Sequence, residues 1–551
     1  MIAVLRHYAF ALLSGLLLTL AFPAFDLFFL AWVALVPLLC RVLRSSPWEA
    51  AAQFFVAGWL FHSLLLQWLA GNVHWAGGWA LLGHQLLCVF LGLYWAALGA
   101  LWTWAHRRAP KMAGAFFVAL LWVGMEWLQA RILSGFGWSA LGYSQGFDLA
   151  LLQCAALGGV SLVSFLLVLV NALLALLITE PTWRLHRLGA LAGVLVLSHL
   201  GGWCLLGTPD YGSAPLTVGL YQSNYSQKMK WDWEYAEDMV HRAAYQSARL
   251  AQFEQVGLFV WPEALVVRHF EEAAVMQSMT ELTTGAHVPL FAGAVRNDRE
   301  QGRSYNSSVL IDAEGKVVDT YDKVHLAPFG EYVPFERYLP FLKAILLGSV
   351  DAGTEQKVLP VAGRRLGPLI CFEVLFTPLA ERLRQEGADF LAVVTNLAWF
   401  GDSNVIPQEF ELARLRAIET RLPLVHSANT GISGVFDPWG RFQPLCAAIG
   451  PNGRYVKWED EPVDPESTVM QRRVGALPVA AAVRPPIPRG CLVFPWLAMA
   501  GAILMMAVVL IRPVRPPGGL PKRPTEMVAA PEMDTGEPAE EKPSWTSRFQ
   551  R

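Results

Sequence analysis

The chain divides by the rhythm of its apolar positions. Up to about Trp203 long apolar stretches alternate with short polar breaks; 214–475 carries short strand-length runs between amphipathic segments; an apolar run returns at 491–511. A hydrocarbon core needs roughly 20 apolar residues per helical crossing. Seven candidate spans meet or approach that length: 8–22, 24–40, 52–70, 79–104, 112–130, 156–178 and 188–206, the first two short and divided at Phe22-Pro23. An eighth, CLVFPWLAMAGAILMMAVVLI, follows the soluble stretch. The start, MIAVLRHYAFALLSG, has the look of a signal peptide, but with so many later spans an uncleaved first helix is expected.

Within 214–475 the pattern predicts alternating strands and helices. Strands are expected at 216–223, 257–263, 288–295, 305–312, 316–323, 366–373, 389–396 and 431–437, several of them near-continuous apolar runs, as buried strands are. Helices are expected at 235–255, 378–387 and 409–421, the last with Leu412, Leu415 and Ile418 on one face. Helices segregated from paired strands suggest a layered α/β sandwich. Four regions follow: a seven-helix membrane region over 1–207, an α/β domain over 214–475, a last membrane helix over 491–512, and a Pro-, Glu- and Lys-rich tail over 513–551 expected to be disordered.

Composition agrees with a membrane protein. Of 551 residues 54% are hydrophobic and only 16% charged, with 22 tryptophans, too apolar for one soluble domain. A net charge of -2 without a recurrent basic block gives no reason to expect nucleic acid as a partner. Lys and Arg gather in cytoplasmic loops. Here Arg6, Arg41, Arg44, Arg107, Arg108, Lys111, Arg184 and Arg187 fall on one side of the alternation, whereas the opposite loops hold only Arg131. That puts the N-terminus inside, the α/β domain outside and the tail inside. In a cell with two membranes the domain faces the periplasm, from the inner membrane.

The same placement bears on the cysteines. The seven (40, 88, 154, 204, 371, 446 and 491) are scattered without a CxxC pair, so neither a metal site nor a disulfide framework is indicated. Those in or beside apolar spans read as packing, which leaves Cys371 and Cys446. An unpaired thiol in an oxidising space needs a reason to persist.

Three polar residues end apolar strands: Glu263 in GLFVWPE, Lys323 in KVVDTYDK and Cys371 in LGPLIC. Strand ends of an α/β sheet are where catalytic groups collect. A thiol is a modest nucleophile at neutral pH and needs a base or a cation beside it. Glu263 can take the proton and Lys323 can stabilise an oxyanion. Each residue alone also fits a plain reading, Glu263 and Lys323 as solvated surface groups and Cys371 as a core side chain.

A resemblance adds to this. WPE (261–263), YDKVHLAPFGEYVPF (321–335), LICFE (369–373) and TNLAWFGDS (395–403) resemble, in that order, the carbon-nitrogen hydrolase (nitrilase) superfamily. That superfamily sets a Glu-Lys-Cys triad on an αββα sandwich. With FPAFDLFFLAWVALVPLL (22–39), GFGWSALGYSQ (135–145), QSNYSQKMKWD (222–232) and ANTGISGVFDPWG (428–440), the chain resembles the apolipoprotein N-acyltransferases over nearly its whole length. The resemblance implies a polytopic α-helical membrane domain of about eight transmembrane helices plus a nitrilase-like αββα domain. It implies Glu263 as general base, Lys323 as oxyanion cation and Cys371 as nucleophile, with Glu331 a second carboxylate and Glu373 an acid behind the nucleophile. Trp231, Trp399 and Asn306 correspond to residues near the acyl site. Two departures stand out: Leu397 where the family often has Asp, and Gln408-Glu409 where it often has Gln-His.

The implied reaction takes an acyl chain from a membrane phospholipid onto Cys371 and passes it to the α-amine of a diacylglyceryl-modified apolipoprotein, without metal or cofactor, on a bilayer-bound enzyme expected to be a monomer. The apolar segment 335–350, too short to cross, suggests a lid or membrane-dipping arm whose Phe341 and Leu346 meet lipid. Glu126, near the end of span five, is a carboxylate at membrane depth with a role in orientation or assembly. Two other readings stay open, a membrane-tethered amidase or nitrilase using water, and a non-enzymatic scaffold.

Overall fold

The computed structural model describes residues 2–73, 77–108, 111–180, 182–230, 232–270, 272–298, 300–328, 330–332, 350–449, 455–457 and 471–511. The tail at 513–551 therefore lies outside the described residues. Apolar helices account for the first third of the chain: α1 (Ile2–Ala21), α2 (Val36–Val42), α3 (Pro47–Leu65), α4 (Trp79–His106), α5 (Lys111–Gln129), α6 (Ala155–Thr179) and α7 (Arg184–Leu205). Among the described residues five helices are long and apolar enough to cross a membrane: α1, α4, α6, α7 and the C-terminal helix over Gly490–Ile511.

The start of α3 is written locally. Ser46 caps it by accepting the Glu49 N–H at 3.2 Å, and Pro47 takes a first-turn position, where its missing N–H costs nothing. Close packing of α3 on α4 depends on small residues, since a Cβ on Gly99 would lie 2.6 Å from the Phe54 ring. The expected span over 24–40 is not one helix. It is a 3-10 turn (Phe28–Trp32) followed by α2, with Pro37 at the first turn of the new helix.

Two six-stranded sheets follow. The first runs β14-β1-β2-β3-β4-β5, from β1 (Leu216–Gln222), β2 (Leu258–His269), β3 (Leu290–Asp298), β4 (Arg303–Ile311), β5 (Val317–Asp322) and β14 (Arg473–Val479). The second runs β11-β10-β9-β8-β7-β6, from β6 (Leu359–Val361), β7 (Arg364–Ile370), β8 (Phe390–Thr395), β9 (Leu424–Ala428), β10 (Gly434–Phe436) and β11 (Phe442–Pro444). Each has a parallel centre, β1 with β2 and β3 in one and β7 with β8 and β9 in the other, flanked by antiparallel strands.

Period-two alternation explains the layering. Val218, Leu220, Leu258 and Val260 of the first sheet share a core with Leu366, Ile370, Phe390, Ala392 and Val394 of the second. The alternate side chains Tyr221, Phe259 and Trp261 face α8 (Trp233–Leu250) and α9 (Ala273–Ala286) through Met239, Val240, Val275 and Met279. On the far side Leu369, Leu391 and Val393 join a cluster with α10 (Thr377–Gln385), α11 (Val405–Thr420) and the membrane helices. The result is an αββα sandwich with one helical layer seated on the membrane region.

That seat makes α11 unusual. Nearly every residue from Val405 to Thr420 is buried, because sheet two covers one side and α6 with the loop after α5 covers the other. The one apolar face expected from Leu412, Leu415 and Ile418 is real, and the opposite face is buried too, satisfied by specific polar contacts. Gln408 accepts from the indole N–H of Trp138 at 2.7 Å and of Trp68 at 3.2 Å, and donates to the Leu65 and Pro23 carbonyls. Arg416 pairs with Glu419 at 2.8 Å and donates to Tyr143 of the loop. Glu126 is buried between helix and loop, accepting from Trp122 at 2.7 Å and from the Leu141 N–H at 2.9 Å. The second of these bonds ties the GFGWSALGYSQ loop to α5.

Several elements were not expected from the pattern: α9, β6, β9, β11, β14 and the hairpin Ala447–Ile449 with Tyr455–Lys457. Glu263 does not end its strand, since β2 continues to His269. Cys371 also lies past the end of β7, on a 3-10 turn (Cys371–Leu375).

Candidate active site

The strand β2 carries its carboxylate on a local irregularity. Pairing with β3 jumps from Trp261 opposite Ala292 to Val266 opposite Ala294, so extra residues bulge from β2, and Ala264 takes φ +46°. Bulges re-aim side chains at the ends of regular pairing. Gly293 accommodates the bulge, because a Cβ there would lie 2.4 Å from the Pro262 carbonyl. Cys371 has φ +50°, left-handed for a residue with a side chain. Such backbone costs of order 1–3 kcal/mol and persists where the surroundings enforce it.

Here the enforcing group is Glu373. Its fully buried carboxylate accepts from the Ile370 N–H at 2.8 Å, the Tyr321 hydroxyl at 2.9 Å, the Val324 N–H at 2.8 Å and the His325 N–H at 3.1 Å. One side chain thus ties the cysteine turn of sheet two to the segment following β5 of sheet one. Burial raises its proton affinity, hydrogen bonds from Ile370, His325 and Tyr321 and the charge of Lys323 oppose this, and the balance is a pKa of about 7.

Lys323, the first residue after β5, is buried and donates to Glu331 at 3.0 Å, with Glu263 Oε1 at 3.8 Å. Asn306 of β4 bridges the two carboxylates, its amide donating to Glu263 Oε1 and to Glu331 Oε1 at 2.8 Å each. Glu331 also accepts the Ala327 N–H at 2.7 Å. Burial by itself would lower the lysine's pKa, but Glu331 and Glu263, with Cys371 and Glu373 further off, outweigh it and raise it. Lys323 is a cation at any physiological pH. Cys371 goes up as well, first through burial and then through Glu263; Lys323 opposes this, Glu409 adds a smaller rise, and Thr395 beside it opposes least. The resting nucleophile is a thiol, and a base has to act during attack.

Glu263, Lys323, Cys371, Glu331, Glu373 and Asn306 are therefore brought together at the facing ends of the two sheets. Trp399 lies on a partly exposed 3-10 turn (Leu397–Phe400) after β8. Trp231, Phe341 and Leu346 lie outside the described residues, as does the proposed arm at 335–349.

Three neighbours were given no role by the sequence reading, although Glu409 was noted there as a departure from the family pattern. Lys230 is fully buried and donates to the Glu263 carbonyl at 2.8 Å; burial takes its pKa down to about 7 against the pull of Glu263 and Cys371. It sits inside QSNYSQKMKWD, whose two lysines were the available signal. Thr395 ends β8 behind Cys371, and its hydroxyl donates to Glu409 of α11 at 2.7 Å.

A partly buried thiol beside a carboxylate and a paired lysine, on an αββα sandwich, defines the class of carbon-nitrogen hydrolases, and the Carbon-nitrogen hydrolase family model matches residues 217–457. The model of the apolipoprotein N-acyltransferase N-terminal domain matches residues 14–173. The chain is 33% identical over 478 residues to the apolipoprotein N-acyltransferase of Geobacter metallireducens, covering 83% of this chain and 90% of that one. With the Allorhizobium ampelinum protein of the same name it shares 36% over 472 residues, 79% of this chain and 87% of the other. An amidase from Nesterenkonia sp. is a structural neighbour with a TM-score of 0.34 at 20% identity, covering 49% of this chain and 93% of the amidase. The chain belongs to the apolipoprotein N-acyltransferase family, acyltransferases of the carbon-nitrogen hydrolase superfamily.

Proposed function

We propose that this chain acylates the N-terminal amine of an S-diacylglyceryl-cysteine on an apolipoprotein, using a membrane phospholipid as donor and Cys371 as carrier. The observation that carries the reading is the meeting of Cys371, Lys323 and Glu263 in a domain whose α11 layer rests on membrane helices. Both substrates keep their chains in the bilayer, and a site held at its surface meets their polar ends.

In the first step Glu263 takes the thiol proton as Sγ attacks the sn-1 ester carbonyl, and the Lys323 ammonium stabilises the oxyanion. Collapse breaks the ester bond. Glu263 returns the proton to the departing alkoxide, lysophospholipid leaves, and Cys371 holds a thioester. In the second step the α-amine attacks the thioester carbonyl, Glu263 accepts an amine proton, and the C–S bond breaks as that proton returns to sulfur. The product is an amide. Glu331 keeps Lys323 charged and in place, Asn306 aligns both carboxylates, and Glu373 holds the cysteine turn. Contact with the acyl chain is assigned to Trp399, on its partly exposed turn, and to Trp231, Phe341 and Leu346, which lie outside the described residues.

This reading takes about eight crossings, counting the shorter apolar helices α2, α3 and α5 with the five long ones, and the domain limits expected above. Basic residues concentrated in alternate loops support a cytoplasmic N-terminus, a periplasmic domain and residence in the inner membrane. One chain supplies every group named, so a monomer suffices, and the slightly acidic balance recommends no nucleic acid. The test is turnover with labelled phospholipid and a diacylglyceryl-cysteinyl peptide. The reading expects N-acyl peptide and lysophospholipid in equal amounts. Release of free fatty acid in place of acylated peptide, or cleavage of a small amide, would favour the hydrolase.

A further inference from the structure

Behind Cys371 lies a small buried polar cluster that the acyl-transfer steps do not use. Glu409 of α11 is 2% exposed and His426 of β9 is 1% exposed. The His426 ring points one nitrogen, Nδ1, at the Ile432 carbonyl at 2.6 Å, and this contact makes Nδ1 the N–H donor of the neutral ring. Its other nitrogen, Nε2, faces Glu409 Oε2 at 3.7 Å. Both of these atoms are buried and neither has a hydrogen-bond partner. The other Glu409 oxygen, Oε1, accepts from the Thr395 hydroxyl at 2.7 Å, and Thr395 follows Val394, the partner of Ile370, so it stands beside Cys371 at the parallel ends of β8 and β7.

Two lone-pair atoms facing each other in a buried gap are unfavourable, and one proton between them relieves both. We propose that Glu409 and His426 hold a single shared proton beneath the nucleophile, and that this proton frees the Thr395 hydroxyl to donate to the Cys371 thiolate.

The argument turns on what Thr395 can do with one hydrogen. With the shared proton in place the carboxyl is neutral, Oε1 is a weak acceptor, and the thiolate formed during attack competes successfully for the hydroxyl. With the proton gone, Glu409 is a full carboxylate, keeps the Thr395 hydrogen, and adds a negative charge facing the sulfur. Both changes oppose the thiolate. No bond other than to hydrogen is made or broken, and the proton stays in the pair throughout the catalytic cycle. Glu409 and His426 are thus positioning residues acting through Thr395.

The electrostatic surroundings agree. Burial and the nearby Glu263 raise Glu409 against the opposing Thr395 bond and Lys323, to about 8, and burial takes His426 down to about 4. The ionisable groups facing the pair are Glu263 of β2, Lys323 after β5 and Cys371 after β7. Lys230, on the Glu263 side, and Glu373, beneath the cysteine turn, are the other groups near the thiol whose values lie around neutrality.

This inference rests on the thioester reading, and the experiment separates the two. The full chain in phospholipid–detergent micelles is mixed with labelled phospholipid without acceptor, and hydroxylamine-labile label on the protein is followed in a single turnover from pH 6 to pH 10. For wild type the rate should fall on the alkaline side, by about tenfold one unit above the pair's pKa. Glu409→Gln, whose amide mimics the protonated carboxyl permanently, should lose that alkaline fall. Thr395→Val should slow acylation about tenfold or more at pH 7, and Thr395→Ser should restore both rate and alkaline fall. An alkaline fall that survives unchanged in Glu409→Gln belongs to Lys230 or Glu373 and overturns the inference, as does an unaltered rate in Thr395→Val. If Glu409→Gln does not fold, the Thr395 pair decides. No label on wild type at any pH sinks the thioester reading itself.

Discussion

The two sheets bring opposite electrostatic solutions to one site. Sheet one contributes Glu263, Asn306, Lys323 and, just beyond, Glu331, which hold their charges by pairing: the ammonium lies 3.0 Å from one carboxylate and 3.8 Å from the other. Sheet two and its helix contribute the partly buried Cys371 and the buried Glu373, Thr395 and Glu409, without a paired cation of their own, and the two carboxyls move up to about 7 and about 8. The difference shows how a thiol can ionise in a site with four glutamates around it. Lys323 offsets the charge of the first pair and burial raises the proton affinity of the second, so the field that favours the developing thiolate is that of Lys323.

The largest effect should come from removing that field. Lys323→Met leaves Glu263 and Glu331 facing each other across Asn306, and acyl-enzyme formation should fall about 10²- to 10³-fold, the scale for losing one oxyanion-stabilising group. Single-turnover kinetics reads this directly. A fall of less than about tenfold would mean that the oxyanion is held elsewhere. Next comes Glu373→Gln, which replaces an oxygen surrounded by donors with an amide that is itself a donor. At least one of the Ile370, Val324 and His325 N–H groups then loses its acceptor, at about 1–3 kcal/mol each. Thermal unfolding in detergent should show a lowered midpoint, and activity should fall with it because the left-handed cysteine turn relaxes.

Asn306→Ala should be milder. It removes two hydrogen bonds of 2.8 Å from charged acceptors but leaves Lys323 between them, so about tenfold in rate is expected.

The comparison also has a pH signature, the smallest of these effects. Glu373 and Glu409 have folded-state pKa values above the ordinary 4.5, so the folded protein holds protons that the unfolded chain releases. Their stabilisation is complete below about 4.5 and is lost as pH rises through 7 to 8. Lys323 is raised above 10.5, so its contribution is intact below that value and is lost only as pH climbs beyond it. The midpoint should therefore slide downward between pH 5 and 8.5, and Glu409→Gln should flatten the slide. A midpoint that rises over this window would mean that both carboxyls are paired as anions.

Much of this was legible along the chain, and what was missed has a physical pattern. Strands β1, β2, β4, β5, β7 and β8 show in their apolar runs, and Cys371, Lys323 and Glu263 stand out because a polar side chain interrupts each run. What the run cannot show is geometry at its end: the bulge around Ala264 and the left-handed turn at Cys371 are set by Gly293 and Glu373, residues distant in sequence. Strand β9, LVHSA, and the helix α9, with its Val275, Met279 and Leu282 spacing diluted by threonines, lack strong local signals. Thr395 and Glu409 were harder still. A Thr ending a strand and a Glu on a helix ordinarily face water, and only the packing of α11 on sheet two brings this pair together.

The central claim is a covalent one, that the acyl chain passes through Cys371. The most direct measurement is intact-protein and peptide mass spectrometry after reaction with phospholipid alone, followed by addition of the diacylglyceryl-cysteinyl peptide. The account predicts an acyl adduct confined to the peptide bearing Cys371, absent in Cys371→Ala, and chased quantitatively onto the acceptor amine. Acylated acceptor formed at the normal rate by Cys371→Ala, or an adduct on another residue that chases equally well, would contradict it.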